Sequence, residues 1–156
     1  MIFLMVGTHE QQFDRIVKAV DELEAEEQKI IQYGYSSYRP VNSDGHDFLP
    51  FDRVKQHMLD ASVIITHAGT GSVMLALSLG RRPIVVPRYK RFGEHIDDHQ
   101  LQLVETLMED GLIVPLFEGD DLQGRIHEVR SAGKEHRKIE PDSRLVGELR
   151  MIIDHA

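Results

Sequence analysis

The segment Ile64–Pro87 constrains the fold most: Ile-Ile-Thr-His-Ala-Gly-Thr-Gly-Ser-Val-Met-Leu-Ala-Leu-Ser-Leu-Gly-Arg-Arg-Pro-Ile-Val-Val-Pro. An apolar run, a glycine-rich turn, a short helical stretch and a second apolar run predict a strand–turn–helix–strand unit. The turn, His67-Ala68-Gly69-Thr70-Gly71-Ser72, stands where a strand's carboxyl end meets a helix amino end. Gly69 and Gly71 carry no Cβ, so a bound group can approach the backbone closely. The helix start adds unpaired N–H donors and roughly +0.5 of a charge. Those are the properties of a phosphate seat.

Spacing sets this turn apart from other glycine-rich motifs. A dinucleotide fingerprint needs a small residue three positions after Gly71, where Met74 stands. A P-loop needs Gly-Lys followed by Ser or Thr, and the stretch has no Lys. A nucleophile elbow needs Ser between two glycines, but Val73 and Met74 follow Ser72. A plain tight turn of an α/β domain is the alternative reading.

The remaining chain repeats the same rhythm. Ile2–Val6 reads as a strand buried on both faces, and Phe13, Ile16, Val17, Val20 and Leu23 follow at helical spacing. Lys29–Tyr33 reads as a strand, Tyr35–Asp47 as a loop, and a short strand is expected near Phe48. A helix over about 52–60, the strand Val63–Thr66 and the strand Pro83–Pro87 come next. A helix over 97–110 carries Leu101, Val104, Leu107 and Met108 on its expected buried side, with Asp97 or Asp98 capping it and Gly111 ending it. Leu112–Leu116 reads as a strand, and Leu122, Ile126 and Val129 as a helix. Lys134–Glu140 is expected to be solvated, and Leu145, Leu149, Ile152 and Ile153 form a stripe on a helix over about 141–154. The fold class is α/β: a Rossmann-like parallel sheet with helices on both faces.

A length of 156 residues suits one domain and is short for two. Eighteen Lys and Arg against 26 Asp and Glu, a net charge of -8, argue against nonspecific nucleic-acid binding. The chain has no Cys, hence no disulfide or thiolate site. No apolar run approaches the roughly 20 residues that span a bilayer. The sequence opens directly in a strand, so the expectation is a cytosolic protein, or one held at the cytosolic face of a membrane by a partner.

A second polar cluster follows the strand at 83–87: Arg88-Tyr89-Lys90-Arg91-Phe92-Gly93-Glu94-His95-Ile96-Asp97-Asp98-His99-Gln100. In a parallel sheet this loop emerges at the same carboxyl edge as the glycine-rich turn, where ligands of open α/β sheets bind. Together with Met1–Phe13, Asp47–Phe51 and Thr66–Ser72, the run Gly93–Leu101 resembles the donor-binding half of glycosyltransferase family 28. The likeness covers about residues 1–115. It is greatest to the small soluble subunits of split, two-chain enzymes, such as bacterial exopolysaccharide transferases and the dolichol-pathway GlcNAc transferase.

The resemblance implies one half of a GT-B fold, with the acceptor-binding half on another, membrane-associated polypeptide. It implies an inverting, cofactor-free transfer from a UDP-sugar to a lipid-linked saccharide acceptor in surface polysaccharide synthesis. Gly7 and Thr8 would touch the donor phosphates beside Gly69, Thr70, Gly71 and Ser72. Main chain around Leu49, within Phe48–Phe51, would read the uracil, with a core role for both Phe residues as the alternative. Asp98, His99 and Gln100 match positions that contact the donor sugar, or else they cap and line the exposed start of a helix. The family's acidic ribose ligand falls at Leu75, a departure.

The residues themselves suggest the rest. His9 and His67 each follow a strand end, where a neutral imidazole can serve as general base, and His9 is the better placed, with a base on the partner chain and a non-catalytic histidine as the alternatives. Arg88, Lys90 and Arg91 form a basic patch for a diphosphate, with a solvated loop as the alternative. His95 and His99 have metal-ligand spacing, but Ile96 stands where the zinc motif has Glu, so no metal is expected. The stripe on 141–154 is core or a surface for the partner. Two other classes stay open: an NAD-binding domain and a non-catalytic flavodoxin-like interaction domain. Arg91 at the position of the NAD-binding acid argues against the first.

Overall fold

The computed structural model of the chain describes residues 1–95 and 99–133. In chain order they form β1 (Ile2–Met5), α1 (Asp14–Asp21), β2 (Lys29–Gln32), β3 (Asp44–His46), α2 (Phe51–Asp60) and β4 (Val63–His67). Then come α3 (Thr70–Ser78), β5 (Ile84–Val86), α4 (His99–Glu109), β6 (Val114–Pro115) and α5 (Leu122–Ser131). A turn of 3₁₀ helix, Lys90–Phe92, lies between β5 and α4.

The six strands pair in the order β3-β2-β1-β4-β5-β6, all parallel. The side-chain alternation of a strand sorts the core into two layers. Ile2, Leu4, Val6, Ile65 and Val86 face Phe13, Ile16, Val17 and Val20 near α1 and Ile126 and Val129 of α5. Phe3, Met5 and Ile64 face Val54 and Met58 of α2 and Ala76 of α3, while Val85 meets Val73, Leu77, Val104 and Leu107 on α3 and α4. Both faces are covered, so the central strands are apolar throughout.

Three expectations need correction. The strand expected near Phe48 is β3, at Asp44–His46, inside the segment read as loop. It is an edge strand bonded only to β2, so it needs no apolar pattern. Phe48 and Phe51, whose alternative reading was core, are 39% and 65% exposed. On α4 the inward stripe is Leu103, Val104 and Leu107, and Met108 is exposed. The expected charged segment 134–140 and the helix over 141–154 lie outside the described residues, as do Asp97 and Asp98.

Chain order reverses beside β1: β2 and β3 build outward on one side, and β4 returns to the other. At such a switch point the connections diverge and leave a crevice at the carboxyl edge. The register aligns Met5 with Thr66 and with Gln32, so the exits of β1, β2 and β4 lie side by side.

Candidate functional site: the carboxyl edge between β1 and β4

The β1 exit, Val6-Gly7-Thr8-His9, and the β4 exit, His67-Ala68-Gly69, face each other across the crevice. Gly69 flanks the start of α3, and among the described residues no side chain caps its N–H groups. By contrast, Asp121 caps α5 by accepting from the N–H groups of Gln123 and Gly124 at 3.1 Å. The N–H groups of Thr70–Ser72, with the Thr70 and Ser72 hydroxyls, sit at the crevice mouth, part-exposed.

The glycines of the site have separate tasks. A Cβ on Gly7 would lie 2.4 Å from His67 Cε1, and one on Gly69 would lie 2.0 Å from His67 Nε2. The two glycines therefore form a slot for the His67 ring. Gly7 also has φ +79°, a conformation that favours glycine. Gly71 differs: a Cβ there would meet nothing within 4 Å. Of the two glycines in the turn, only Gly71 is open to a ligand.

His67 is buried, and its pKa falls to about 3. Burial is the main cause, and the Arg88 cation adds to it, while a hydrogen bond to the Met5 backbone opposes them. The ring is neutral at every physiological pH. Its closed slot suits hydrogen bonding better than the acceptor-facing base role considered from sequence.

Arg88 departs furthest from expectation. It is 1% exposed, and its guanidinium donates to four carbonyls: Val6 (2.7 Å), Gln11 (2.8 Å), Glu94 (3.1 Å) and Gln12 (3.3 Å). It lies 4.7 Å above the Phe13 ring, a cation–π contact. Burial lowers its pKa to about 10, with Glu94 opposing, so it stays charged. Arg88 is thus a clamp between loops, neither a solvated charge nor a surface ligand. Arg91 pairs with Glu118 and packs over Tyr89 and Phe92, so no basic patch forms with Arg88.

Glu94 completes the clamp, and sequence reasoning missed it. Its buried carboxylate accepts from Arg15 Nε and Nη2, both at 3.1 Å, and from the Tyr89 N–H at 3.1 Å. Arg15 also lies over the rings of Phe13, Tyr89 and Phe92. Gln12 Nε2 donates to Phe92 O at 3.0 Å, tying the same two loops. The only sequence signal was a polar loop, which reads as solvated. Among the described residues, buried Arg88 and part-buried Arg15 stand near the buried carboxylate of Glu94.

Around this frame stand the other predicted residues. Gln100 Oε1 accepts from the Arg88 N–H at 3.0 Å, which fixes the amide at the start of α4. His99 opens the same helix. Leu49 packs against the Phe3–Met58 layer, and its N–H donates to Gln32 Oε1 at 2.9 Å, holding the segment after β3 in one path. Leu75 joins the same apolar layer, consistent with its apolar character. His9 and His95, unconnected in the sequence reading, stack with ring centroids 4.5 Å apart. His9 Nδ1 accepts from the Gln11 N–H at 3.1 Å. That bond engages the lone pair a base would use.

The strand order and the switch-point crevice, with the start of α3 beside it, define a Rossmann-like α/β domain. Among the described residues no helix is long and apolar enough to cross a membrane. The model of the glycosyltransferase family 28 C-terminal domain matches residues 1–144, and the chain belongs to that family. It is similar to the UDP-N-acetylglucosamine transferase subunit ALG13 of Yarrowia lipolytica, 41% identical over 56 residues, which are 36% of this chain and 26% of that protein.

Among solved structures, the glycotransferase of kitacinnamycin superposes with TM-score 0.63 at 20% identity, over 99% of this chain and 39% of that one. The glycosyltransferase SnogD from Streptomyces nogalater superposes with TM-score 0.50 at 16% identity, over 97% of this chain and 44% of that one. The chain thus has the fold of one half of a GT-B glycosyltransferase and spans well under two thirds of these proteins.

Proposed function

We propose that this chain is the donor-binding, catalytic subunit of a split glycosyltransferase. It takes a UDP-sugar and, with a membrane-associated acceptor-binding chain, transfers the sugar to a lipid-linked saccharide with inversion at the anomeric carbon. Surface polysaccharide synthesis at the inner face of the membrane is the proposed setting. The observation that carries this is the open α3 start at Gly69–Ser72, opposite Gly7–Thr8 at the β1/β4 switch point, in a family 28 chain. ALG13, by its name a subunit of a UDP-N-acetylglucosamine transferase, supports both the donor class and the need for a second chain.

The chemistry follows from charge. As the glycosidic bond breaks, negative charge grows on the departing diphosphate. Backbone N–H groups and hydroxyls fixed in advance stabilise that charge without reorganising. Thr70, Gly71 and Ser72 supply them, and the α3 dipole and the buried Arg88 cation add a positive field. Leu49 main chain reads the uracil, and Gln100, with Asp98 and His99, orients the sugar. No metal or other cofactor is required for these roles.

Ligand-observed NMR of the whole chain tests the donor assignment. UDP is expected to bind and to be displaced by UDP-sugars but not by NAD. Binding of NAD without UDP would overturn the reading in favour of a dinucleotide domain.

A further inference from the structure

We propose that Gln32 is the positioning residue of the base subsite: it holds the arm at residues 48–50 against the β1 exit and thereby sets the preference for uridine. Its role rests on the donor-site reading above, in which main chain around Leu49 meets the base.

Gln32 closes β2 and is 2% exposed. A buried amide costs free energy unless its polar groups are bonded. Gln32 bonds in two directions. Its backbone carbonyl accepts from the Val6 N–H at 3.2 Å, where β1 leaves the sheet towards Gly7 and Thr8. Its side-chain Oε1 accepts from the Leu49 N–H at 2.9 Å, across 17 residues of chain. One buried residue thus ties the loop assigned to the phosphates to the arm assigned to the base.

The arm owes its path to this bond. Pairing between β2 and β3 continues past the strands, from the Tyr33 N–H to His46 O at 2.9 Å and from the Gly34 N–H to Asp47 O at 3.0 Å. Beyond it, the Phe48 N–H donates to its own neighbour, Asp47 Oδ1, at 2.7 Å. Pro50 has no N–H, and its carbonyl accepts from the Arg53 and Val54 N–H groups at the start of α2. Between these points the Leu49 N–H reaches back to the sheet. The Leu49 side chain packs on the Phe3–Met58 layer, which sets the depth of the arm. Apolar contact has no direction, whereas a hydrogen bond does.

Gly34 brings the arm and the phosphate loop together. Its φ is +57°, and a Cβ there would lie 2.9 Å from Gly7 O and 3.9 Å from Phe48 Cε1. A shift of the arm therefore changes the span between base and diphosphate, and binding geometry tolerates such shifts poorly.

UDP and ADP titrations of the full chain, followed by backbone NMR, test this in the wild type, Gln32→Met and Gln32→Glu. Methionine keeps the bulk and strands the Leu49 N–H, while glutamate keeps an acceptor oxygen. In Gln32→Met, UDP affinity should fall about tenfold, the size of one hydrogen bond, with ADP affinity nearly constant. UDP should still shift Gly69–Ser72, and the shift at Leu49 should shrink. Gln32→Glu should retain most of the preference for UDP over ADP. A purely structural role would lower the melting temperature and leave that preference intact. An unchanged preference in Gln32→Met, or equal losses in the two variants, would overturn the proposal while the donor site stood. Hydrogen exchange in the wild type gives a check that needs no variant to fold. The Leu49 amide should be protected, and more so with UDP bound; an unprotected amide, or one that bound UDP leaves unchanged, would also overturn it. Failure of UDP to bind the wild type would overturn the donor-site reading and the role of Gln32 with it.

Discussion

The two edges of the sheet bury charge in opposite ways. At the amino edge, Asp21 accepts from Tyr38 Oη, the Val41 and Asn42 N–H groups and Ser43 Oγ, at 2.7–3.0 Å. Lys29 Nζ donates to three carbonyls beside it, those of Val20, Asp21 and Leu23. Arg81 likewise ends α2 by donating to Met58, Leu59 and Ala61 O. The Asp21–Lys29 cluster is balanced and its carboxylate is saturated. At the carboxyl edge, Arg15 pairs with the Glu94 carboxylate while Arg88 donates to the Glu94 backbone carbonyl, and buried Arg88 Nε and Gln11 Oε1 have no hydrogen-bond partner among the described residues. A saturated buried cluster builds fold, whereas buried polar groups left without a partner mark candidate functional sites.

Removing the central carboxylate at each edge should separate these roles. Asp21→Ala strands several donors and Glu94→Ala strands Arg15 and the Tyr89 N–H, so each should cost about 3–5 kcal/mol in urea unfolding. Only Glu94→Ala should also abolish UDP binding in the protein that remains folded. Equal UDP affinity in both variants would erase the distinction.

Acid should attack the edges in different pH windows. His67 has its pKa lowered to about 3 from 6.5, so below pH 6.5 the unfolded chain takes up a proton that the folded chain refuses. Stability then falls by about 1.4 kcal/mol per pH unit from 6.5 down towards 3. At Asp21, burial pushes the pKa up, but the hydrogen bonds from Val41, Tyr38, Ser43 and Asn42 outweigh it and hold it low. Its contribution is complete above the ordinary carboxylate range and is lost only as pH falls through its lowered value. Urea unfolding from pH 7 to 4 should therefore lose its slope in His67→Gln and keep it in Asp21→Asn.

A finer test lies within the crevice. Gly69→Ala, whose Cβ would strike His67, should cost about 1–3 kcal/mol by overpacking. In a His67→Ala background the cost should nearly vanish, and additive effects would refute the shared slot. Gly71→Ala should do the reverse. It meets open space on a helix, so it should gain about 0.5–1 kcal/mol in thermal unfolding. UDP affinity should fall nonetheless, because the new methyl stands where a phosphate would approach the backbone.

Local chemistry was legible in the sequence, and long-range pairing was not. The Gly69–Ser72 turn and the helices at 14–21 and 122–131 follow from residues close together in the chain. The order β3-β2-β1-β4-β5-β6 depends on which edges meet, and no single segment encodes that. Arg88 was read as a solvated charge or a surface ligand because its acceptors lie at Val6, Gln11 and Gln12, 76–82 residues away. Gly7 and Gly69 were read as room for a ligand, yet the occupant is His67. Asp44–His46 carries no apolar signal because an edge strand is held by backbone bonds. The exposed Phe48 packs edge-on against Tyr35, at 5.2 Å between centroids, and so has a partner without being core.

The most direct test is a backbone NMR titration of the full chain with UDP. The predicted result is shifts at Gly7, Thr8, Leu49 and Gly69–Ser72, lost in the Thr70→Val/Ser72→Ala double variant, with Asp21, Lys29 and Val41–Ser43 unmoved. Shifts gathered at the amino edge, or a titration unaffected by the double variant, would contradict a donor site at the β1/β4 crevice.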